Sequence, residues 1–187
     1  LRVGIFSDPK NINNMTIKHL GATVLFALYM TASCGRPAEG FTNAELKIIN
    51  GTDSIMRVLT IENETDLAVL RTISTDLPLA ALQSEEYDKL AELMVATVTH
   101  PSQDGVGIAG PQVGLNRRIV AVQRFDKEGD PFEVYPNIRI VWASDSLVLG
   151  PEGCLSVPDR RGEVQRSQEI VIEYADMKAL KQTTAET

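Results

Sequence analysis

The sequence has few aromatic residues and no excess of positive charge. Phe, Trp and Tyr make up 5% of its 187 residues, and 18 Lys and Arg stand against 25 Asp and Glu, a net charge of −7. Nucleic-acid-binding surfaces need clustered basic residues or aromatic rings on which bases stack. The composition therefore argues against a nucleic-acid partner. With 43% hydrophobic residues, it predicts one globular domain with a core.

Histidine and cysteine are also scarce, with two of each. His19 is followed by Leu and His100 by Pro, so the sequence contains no H-E-x-x-H motif, the pair of metal-binding histidines on one helix face. The cysteines are Cys34 and Cys154. If Cys34 carries a lipid, as inferred below, Cys154 has no partner for an intrachain disulfide.

No apolar run near the N-terminus is long enough to span a membrane. The run from Leu20 to Met30 has 11 residues, and a spanning helix needs about 20. It follows Lys18 and precedes small residues that lead into Cys34, which is the order of a secretory signal. The last part resembles a bacterial lipobox, so we predict an exported protein that contacts the membrane through a lipid on Cys34 alone. The alternative is a buried first helix in a cytoplasmic protein.

These assignments divide the chain into four parts. Residues 15–34 are the predicted lipoprotein-type signal, and residues 1–14 are interpreted as upstream sequence outside the native protein. Residues 35–56 are polar and mixed, which predicts a tether. Residues 57–187 form the predicted globular domain.

The residue pattern of the predicted globular domain indicates one helix followed by several strands. Ser84 predicts an N-cap, and apolar residues from Tyr87 to Val98 recur at helical spacing before His100-Pro101. Short apolar or alternating runs follow at 119–122, 132–142, 146–149 and 164–174, with a break or an edge expected at Pro136. This order predicts an α+β fold in which antiparallel strands pack around a helix.

Two segments carry candidate chemistry. In residues 105–114, GVGIAGPQVG, the glycines allow the backbone to approach a ligand closely, and Pro111 presets the turn that presents Gln112. A glutamine amide can donate to a developing oxyanion without changing its charge. In residues 151–158, PEGCLSVP, Cys154 lies between Gly153 and Pro158 in a tight loop. A lone cysteine usually packs inertly, whereas this setting favours a positioned thiolate.

In this order, the two segments resemble the signatures of the peptide deformylase family, G-x-G-h-A-A-P-Q and E-G-C-L-S. One position differs, because Gly110 stands where the family has its second Ala. Residues 66–71 resemble the family's opening segment, and Arg161, Val164 and Arg166 resemble the strand after its cysteine. The resemblance runs from about residue 57 to the last residue and implies a peptide deformylase-like fold.

The resemblance implies a hydrolase that removes the N-formyl group from formyl-methionyl peptides and releases formate. The family's metal is natively Fe(II), replaceable by Ni, Co or Zn. It is held by the cysteine thiolate, two His of an H-E-x-x-H helix and a water, and the helix Glu moves the proton. Neither those His nor that Glu occurs in this sequence. We therefore expect the final metal-binding helix to be absent from this chain and the chain as given to be inactive.

The resemblance also implies roles for individual residues. Cys154 is the metal ligand, and Gln112 and the Leu155 N–H stabilise the oxyanion. Residues that align the peptide as an added strand do so through their backbone; they are Val106, Gly107, Ile108 and Gly153. Arg161 and Val164 lie near the methionine pocket, and Glu152 and Arg166 form a supporting ion pair beneath the cysteine loop.

Two alternatives remain open from the residues. The first is a non-catalytic lipoprotein that binds formyl peptides in the same groove but holds no metal. The second is a thiol hydrolase with Cys154 as nucleophile. That mechanism needs a neighbouring histidine, and His100 is the candidate because His19 lies within the predicted signal.

Overall fold

The computed structural model describes residues 2–5 and 40–178, and its helices lie in the first half of that range. They are α1 (Asn43–Ile49), α2 (Glu64–Arg71), α3 (Leu79–Leu82) and α4 (Glu85–Thr99), followed by a 3₁₀ helix, Gly110–Val113. No described helix has the length and apolar character needed to cross a membrane. The predicted signal, Cys34 and residues 179–187 lie outside the described residues.

In the part of the chain that the structure describes, eight strands form three sheets. They are β1 (Arg2–Ile5), β2 (Gly107–Ala109), β3 (Ile119–Gln123), β4 (Phe132–Pro136), β5 (Arg139–Ala143), β6 (Leu147–Cys154), β7 (Val157–Ser167) and β8 (Glu169–Glu173). Strands β2-β3-β4 and the hairpin β6-β7 are antiparallel, whereas β8 lies between an antiparallel β5 and a parallel β1. The predicted α+β class is confirmed, with one parallel pair. Residues 2–5, assigned above to upstream sequence, are strand β1.

Helix α4 is the helix that the sequence predicts, and it centres the core. The Ser84 hydroxyl accepts from the Tyr87 N–H, and the helix gives way to extended backbone at His100, before Pro101. Its buried residues pack against Ile108, Ile119 and Ala121 of β2 and β3. Met94 and Leu90 are fully buried, so the apolar stripe serves packing.

Residues 43–49 correct the prediction of a tether. They form α1, which opens with a capping box: the Glu45 N–H donates to the Thr42 hydroxyl, and the Thr42 N–H donates to the Glu45 carboxylate at 2.7 Å. Ile49 is completely buried in the core. A free tether would leave this side chain in water, so this part of 35–56 belongs to the folded body.

The break expected at Pro136 separates two sheets. Strand β4 ends at Pro136, and Asn137 adopts a left-handed backbone with φ of 56°. Its side-chain amide pairs with both the N–H and the C=O of Leu77, at 2.7 and 2.9 Å. Asparagine tolerates this backbone conformation, and its side chain here bonds the backbone groups of Leu77. The chain then enters β5 in the other sheet.

Several apolar side chains of β5 and β6 face solvent. Ile140, Val141 and Trp142 are between 51 and 63% exposed, and the run 147–149 is similarly exposed. Both faces of these strands are open within residues 40–178, which leaves an uncovered apolar sheet surface.

Candidate active site

Gln112 is held with its amide in one orientation. It lies in the 3₁₀ helix after β2, where its Oε1 accepts from the Ala109 N–H at 2.9 Å. The turn closes at Gly114, whose φ of +88° favours glycine. Because the oxygen is bonded to the backbone, the NH₂ group is the part of the amide left to face outward.

Gly110 explains the one departure from the family signature. A Cβ built at this position would lie 2.7 Å from the Arg117 carbonyl oxygen and 2.8 Å from that of Leu115. Both are backbone atoms of the segment that follows the turn, so they cannot move aside cheaply. Glycine therefore allows this chain to close the turn more tightly than alanine would.

Cys154 lies beside Gln112, although 42 residues separate them in sequence. The Gln112 Nε2 lies 3.8 Å from the Cys154 Sγ and 3.2 Å from the Ser156 hydroxyl. The thiol is exposed and free, whereas Ser156 is buried. The structure thus brings the two motifs together. It also adds Ser156, which the motif E-G-C-L-S contains but for which sequence reasoning assigned no role.

A third segment fixes the spacing between the two motifs. The Leu59 N–H donates to the Gln112 carbonyl at 2.8 Å, and the Ile61 N–H donates to the Ser156 carbonyl at 2.9 Å. Upstream, the Met56 N–H donates to the Thr97 hydroxyl of α4 at 2.8 Å. Residues 56–61 therefore connect the core helix to both halves of the site.

Most of the predicted substrate-binding residues line one groove of about 990 Å³. Its lining includes Val106, Gly107, Gly153, Leu155 and Arg161, together with Gln112 and Cys154. Ile108 is buried and faces a separate, mainly apolar cavity of about 470 Å³ between the β2-β3-β4 sheet and Ile170 and Ile172. Val164 pairs with Gly150 in the hairpin and does not line the groove.

Glu152 and Arg166 form a bidentate ion pair, with both N–O distances 2.8 Å. The hydrogen bond from Arg166 lowers the pKa of the Glu152 carboxyl. The side chains are 37 and 66% exposed, so the pair lies on the hairpin surface and not in a buried position beneath the loop. Solvent screens such a pair, and its contribution to stability is small.

A second ionic cluster, missed from the sequence, closes the β3–β4 turn. The buried Arg124 donates to Asp126 through two bonds and to Glu133 at 2.9 Å. The Arg124 bonds lower the pKa of Asp126 to about 2. Burial and a hydrogen bond to Glu133 raise the pKa of Tyr135 to about 12. Every buried side-chain polar atom in the described range has a partner, which indicates a structural cluster.

The described residues do not complete a metal site. In residues 2–5 and 40–178, no three His, Cys, Asp or Glu side chains are grouped closely enough to hold a metal ion. A catalytic metal of this kind needs three protein ligands, and Cys154 is the one candidate here. The His100 ring pairs with the Ser102 hydroxyl at 2.8 Å and does not line the groove, so no Cys–His pair forms for a thiol hydrolase.

A fixed amide donor and a free thiol meet in a groove bordered by strand β2, an arrangement that suits a hydrolase site. The polypeptide deformylase family model matches residues 55–187, and this chain belongs to that family.

Curated relatives agree with this assignment. The chain is 36% identical over 125 residues to a peptide deformylase of Caulobacter sp. (strain K31), covering 65% of this chain and 68% of that protein. It is 33% identical over 130 residues to a peptide deformylase of Leptospira biflexa, covering 66 and 69%.

Solved structures confirm the peptide deformylase-like fold. The class I type b peptide deformylase from Acinetobacter baumannii, in a structure with Met-Ala-Ser bound, is 30% identical with a TM-score of 0.58. The match covers 68% of this chain and 80% of that chain. The peptide deformylase from Thermotoga maritima is 27% identical with a TM-score of 0.57, covering 67 and 77%.

Proposed function

We propose that this protein is a metal-dependent deformylase that removes the N-formyl group from formyl-methionyl peptides and releases formate. The observation that supports the proposal is the short distance, 3.8 Å, between the Gln112 Nε2 and the Cys154 Sγ in the groove. The Acinetobacter baumannii relative with Met-Ala-Ser bound supports a peptide beginning with methionine as the substrate class.

The groove offers a backbone edge for such a peptide. Strand β2 pairs with β3 on one side, and within the described residues no strand pairs with its other side. An extended peptide can add to a free edge as a further strand, with its backbone groups bonded to those of the edge. Gly107 and the neighbouring Val106 both line the groove, which gives the peptide room beside the backbone.

The residues suit attack on a formyl carbon. When water adds to the formyl carbon, negative charge develops on the formyl oxygen. The C–N bond then breaks to give formate and the free amine. The Gln112 Nε2 donates to that oxygen, and its bonded Oε1 keeps the donor aimed. The Leu155 N–H is proposed as the second donor, since Leu155 lines the groove beside Cys154.

Cys154 is proposed as one ligand of the divalent metal, natively Fe(II) and replaceable by Ni, Co or Zn. The family is metal-dependent, but residues 2–5 and 40–178 contain no group of three His, Cys, Asp or Glu side chains that could hold a metal ion. We therefore expect residues 35–187 alone to bind no stoichiometric metal and release no formate. An extended protein, in which a segment that carries H-E-x-x-H follows Thr187, is expected to do both. Bound metal and formate release from formyl-Met-Ala-Ser, measured on the two proteins, test this. Turnover by residues 35–187 that a chelator does not abolish contradicts it.

Export and lipid anchoring are proposed from the sequence alone. Cys34 and the signal at 15–34 lie outside the described residues, and the support is the order of a basic residue, a short apolar run and small residues before a cysteine. The substrate is then a formyl peptide outside the cytosol.

A further inference from the structure

Helix α1 precedes the part of the chain that the family model matches. The match begins at residue 55, whereas α1 spans Asn43–Ile49. The helix is nevertheless packed on the domain, because Ile49 is fully buried in the core and Ile48 packs against it. This chain therefore carries a docked helix in addition to the matched domain.

A partly buried ion pair connects α1 to the segment after the Gln112 turn. The Arg117 Nε donates to the Glu45 Oε1 at 2.5 Å, and its Nη2 donates to Oε2 at 3.1 Å. The two side chains are 14 and 13% exposed. The same guanidinium donates to the Thr75 hydroxyl and the Asp76 carbonyl, so Arg117 is held on two sides. Bidentate pairs of this kind fix geometry as well as charge.

A second contact reaches the turn itself. A Cβ built on Gly114 would lie 3.3 Å from the Ile48 Cδ1, so Ile48 covers the residue that ends the 3₁₀ helix. The Leu115 N–H donates to the Gly110 carbonyl at 2.9 Å, and the Arg117 N–H donates to the Leu115 carbonyl at 2.7 Å. These bonds couple the position of residues 114–117 directly to that of the turn that contains Gln112.

We propose that α1 is a positioning element of the site: Glu45 and Ile48 hold residues 114–117, and thereby aim the Gln112 amide into the groove. The proposal rests on the deformylase function only for its catalytic consequence. Neither side chain lines the groove, so both act through the turn.

The test compares Glu45→Ala and Ile48→Ala with Lys47→Ala, an exposed position on the same helix. Amide hydrogen exchange is measured on the full chain at Gly114 and Leu115, with α4 amides as the internal reference. We expect the first two variants to speed exchange at Gly114 and Leu115 by about tenfold or more relative to α4, and Lys47→Ala to leave it unchanged. Ile48→Leu, which restores an apolar contact, should recover most of the protection.

The catalytic consequence is measured by formate release from the extended protein that carries H-E-x-x-H. We expect kcat to fall by about 10- to 100-fold in Glu45→Ala and Ile48→Ala, with KM nearly unchanged, because misplacing one donor affects the transition state more than binding. Loss of global stability alone would speed exchange equally in α4 and leave the kcat of folded protein unchanged. Unchanged local exchange, or faster exchange with normal kcat, overturns the proposal. Absence of formate release from the extended protein without these substitutions refutes the deformylase function, and the exchange data still decide the docking claim.

Discussion

Thr97 should contribute to stability through an atom that a valine cannot replace. It is fully buried in α4, and its hydroxyl donates to the Leu93 carbonyl at 2.6 Å while accepting from the Met56 N–H at 2.8 Å. Met56 is 3% exposed, so water cannot easily replace the lost acceptor. Thr97→Val should therefore leave a buried N–H without a partner.

The magnitude follows from that unpaired donor. An unsatisfied buried group costs about 1–3 kcal/mol. The extra buried methyl of valine returns part of this, at about 0.8 kcal/mol per methylene-sized group. A net loss of roughly 0.2–2 kcal/mol is expected. With a urea m-value of about 2 kcal/mol/M, the unfolding midpoint should fall by roughly 0.1–1 M.

Thr99 provides the matched control. It lies two residues further along α4, is exposed, and donates to the Val95 carbonyl at 2.8 Å in the same i to i−4 pattern. Thr99→Val removes the same bond within the helix but leaves no N–H without an acceptor. Urea unfolding of both variants measures the difference, and faster exchange of the Met56 amide should accompany the larger loss. Equal losses in the two variants would refute the reasoning.

Three further predictions concern other parts of the chain. Gln112→Glu keeps an oxygen for the Ala109 N–H but removes the donor. The kcat for formate release by the extended protein should therefore fall by roughly 10²–10³-fold, and near-normal turnover would contradict the assigned role. Burial alone would raise the pKa of Glu45, but hydrogen bonds from Arg117 and Thr42 lower it overall. The ionised Glu45 therefore stabilises the fold at neutral pH, and this contribution is lost as the pH falls through the lowered pKa. Wild type should lose more unfolding free energy on acidification below about pH 5 than Glu45→Gln does, and parallel curves would argue against this. Cys34→Ala should release the protein from the membrane fraction or leave an uncleaved precursor, whereas wild-type protein without lipid in the cytosol would rule out the anchor.

Local signals made part of the fold predictable. Helix α4 has a capping serine, acidic residues in its first turn and a regular apolar stripe, and each of these acts within a few residues. The break at Pro136 follows from the missing N–H of proline, although nothing near Asn137 in the sequence indicates that it pairs with Leu77, 60 residues earlier.

Long-range contacts account for the errors. Helix α1 has seven residues and one fully buried side chain, so its composition resembles that of a tether. Arg117, which pairs with Glu45 of this helix, lies 72 residues away. The motif predicts that Arg161 and Val164 both lie near the methionine pocket, but they are three residues apart on β7, so their side chains point to opposite faces of the ribbon. The pairing of Gln112 with Cys154 came from the family resemblance, since neither segment alone specifies its partner.

The β6-β7 hairpin has a mechanical consequence for the thiol. Near its turn the ribbon is fastened by the bond from the Ile61 N–H to the Ser156 carbonyl, and at its other end its two strands continue into β5 and β8, which pair with each other. Between them run about 25 Å of strand with open space beside Gly150 and Gly162. A ribbon that is held at both ends moves most in its middle and least next to the held ends. Cys154 lies next to the fastened turn, so we expect bending of the ribbon near Gly150 to displace its sulfur little from the Gln112 amide.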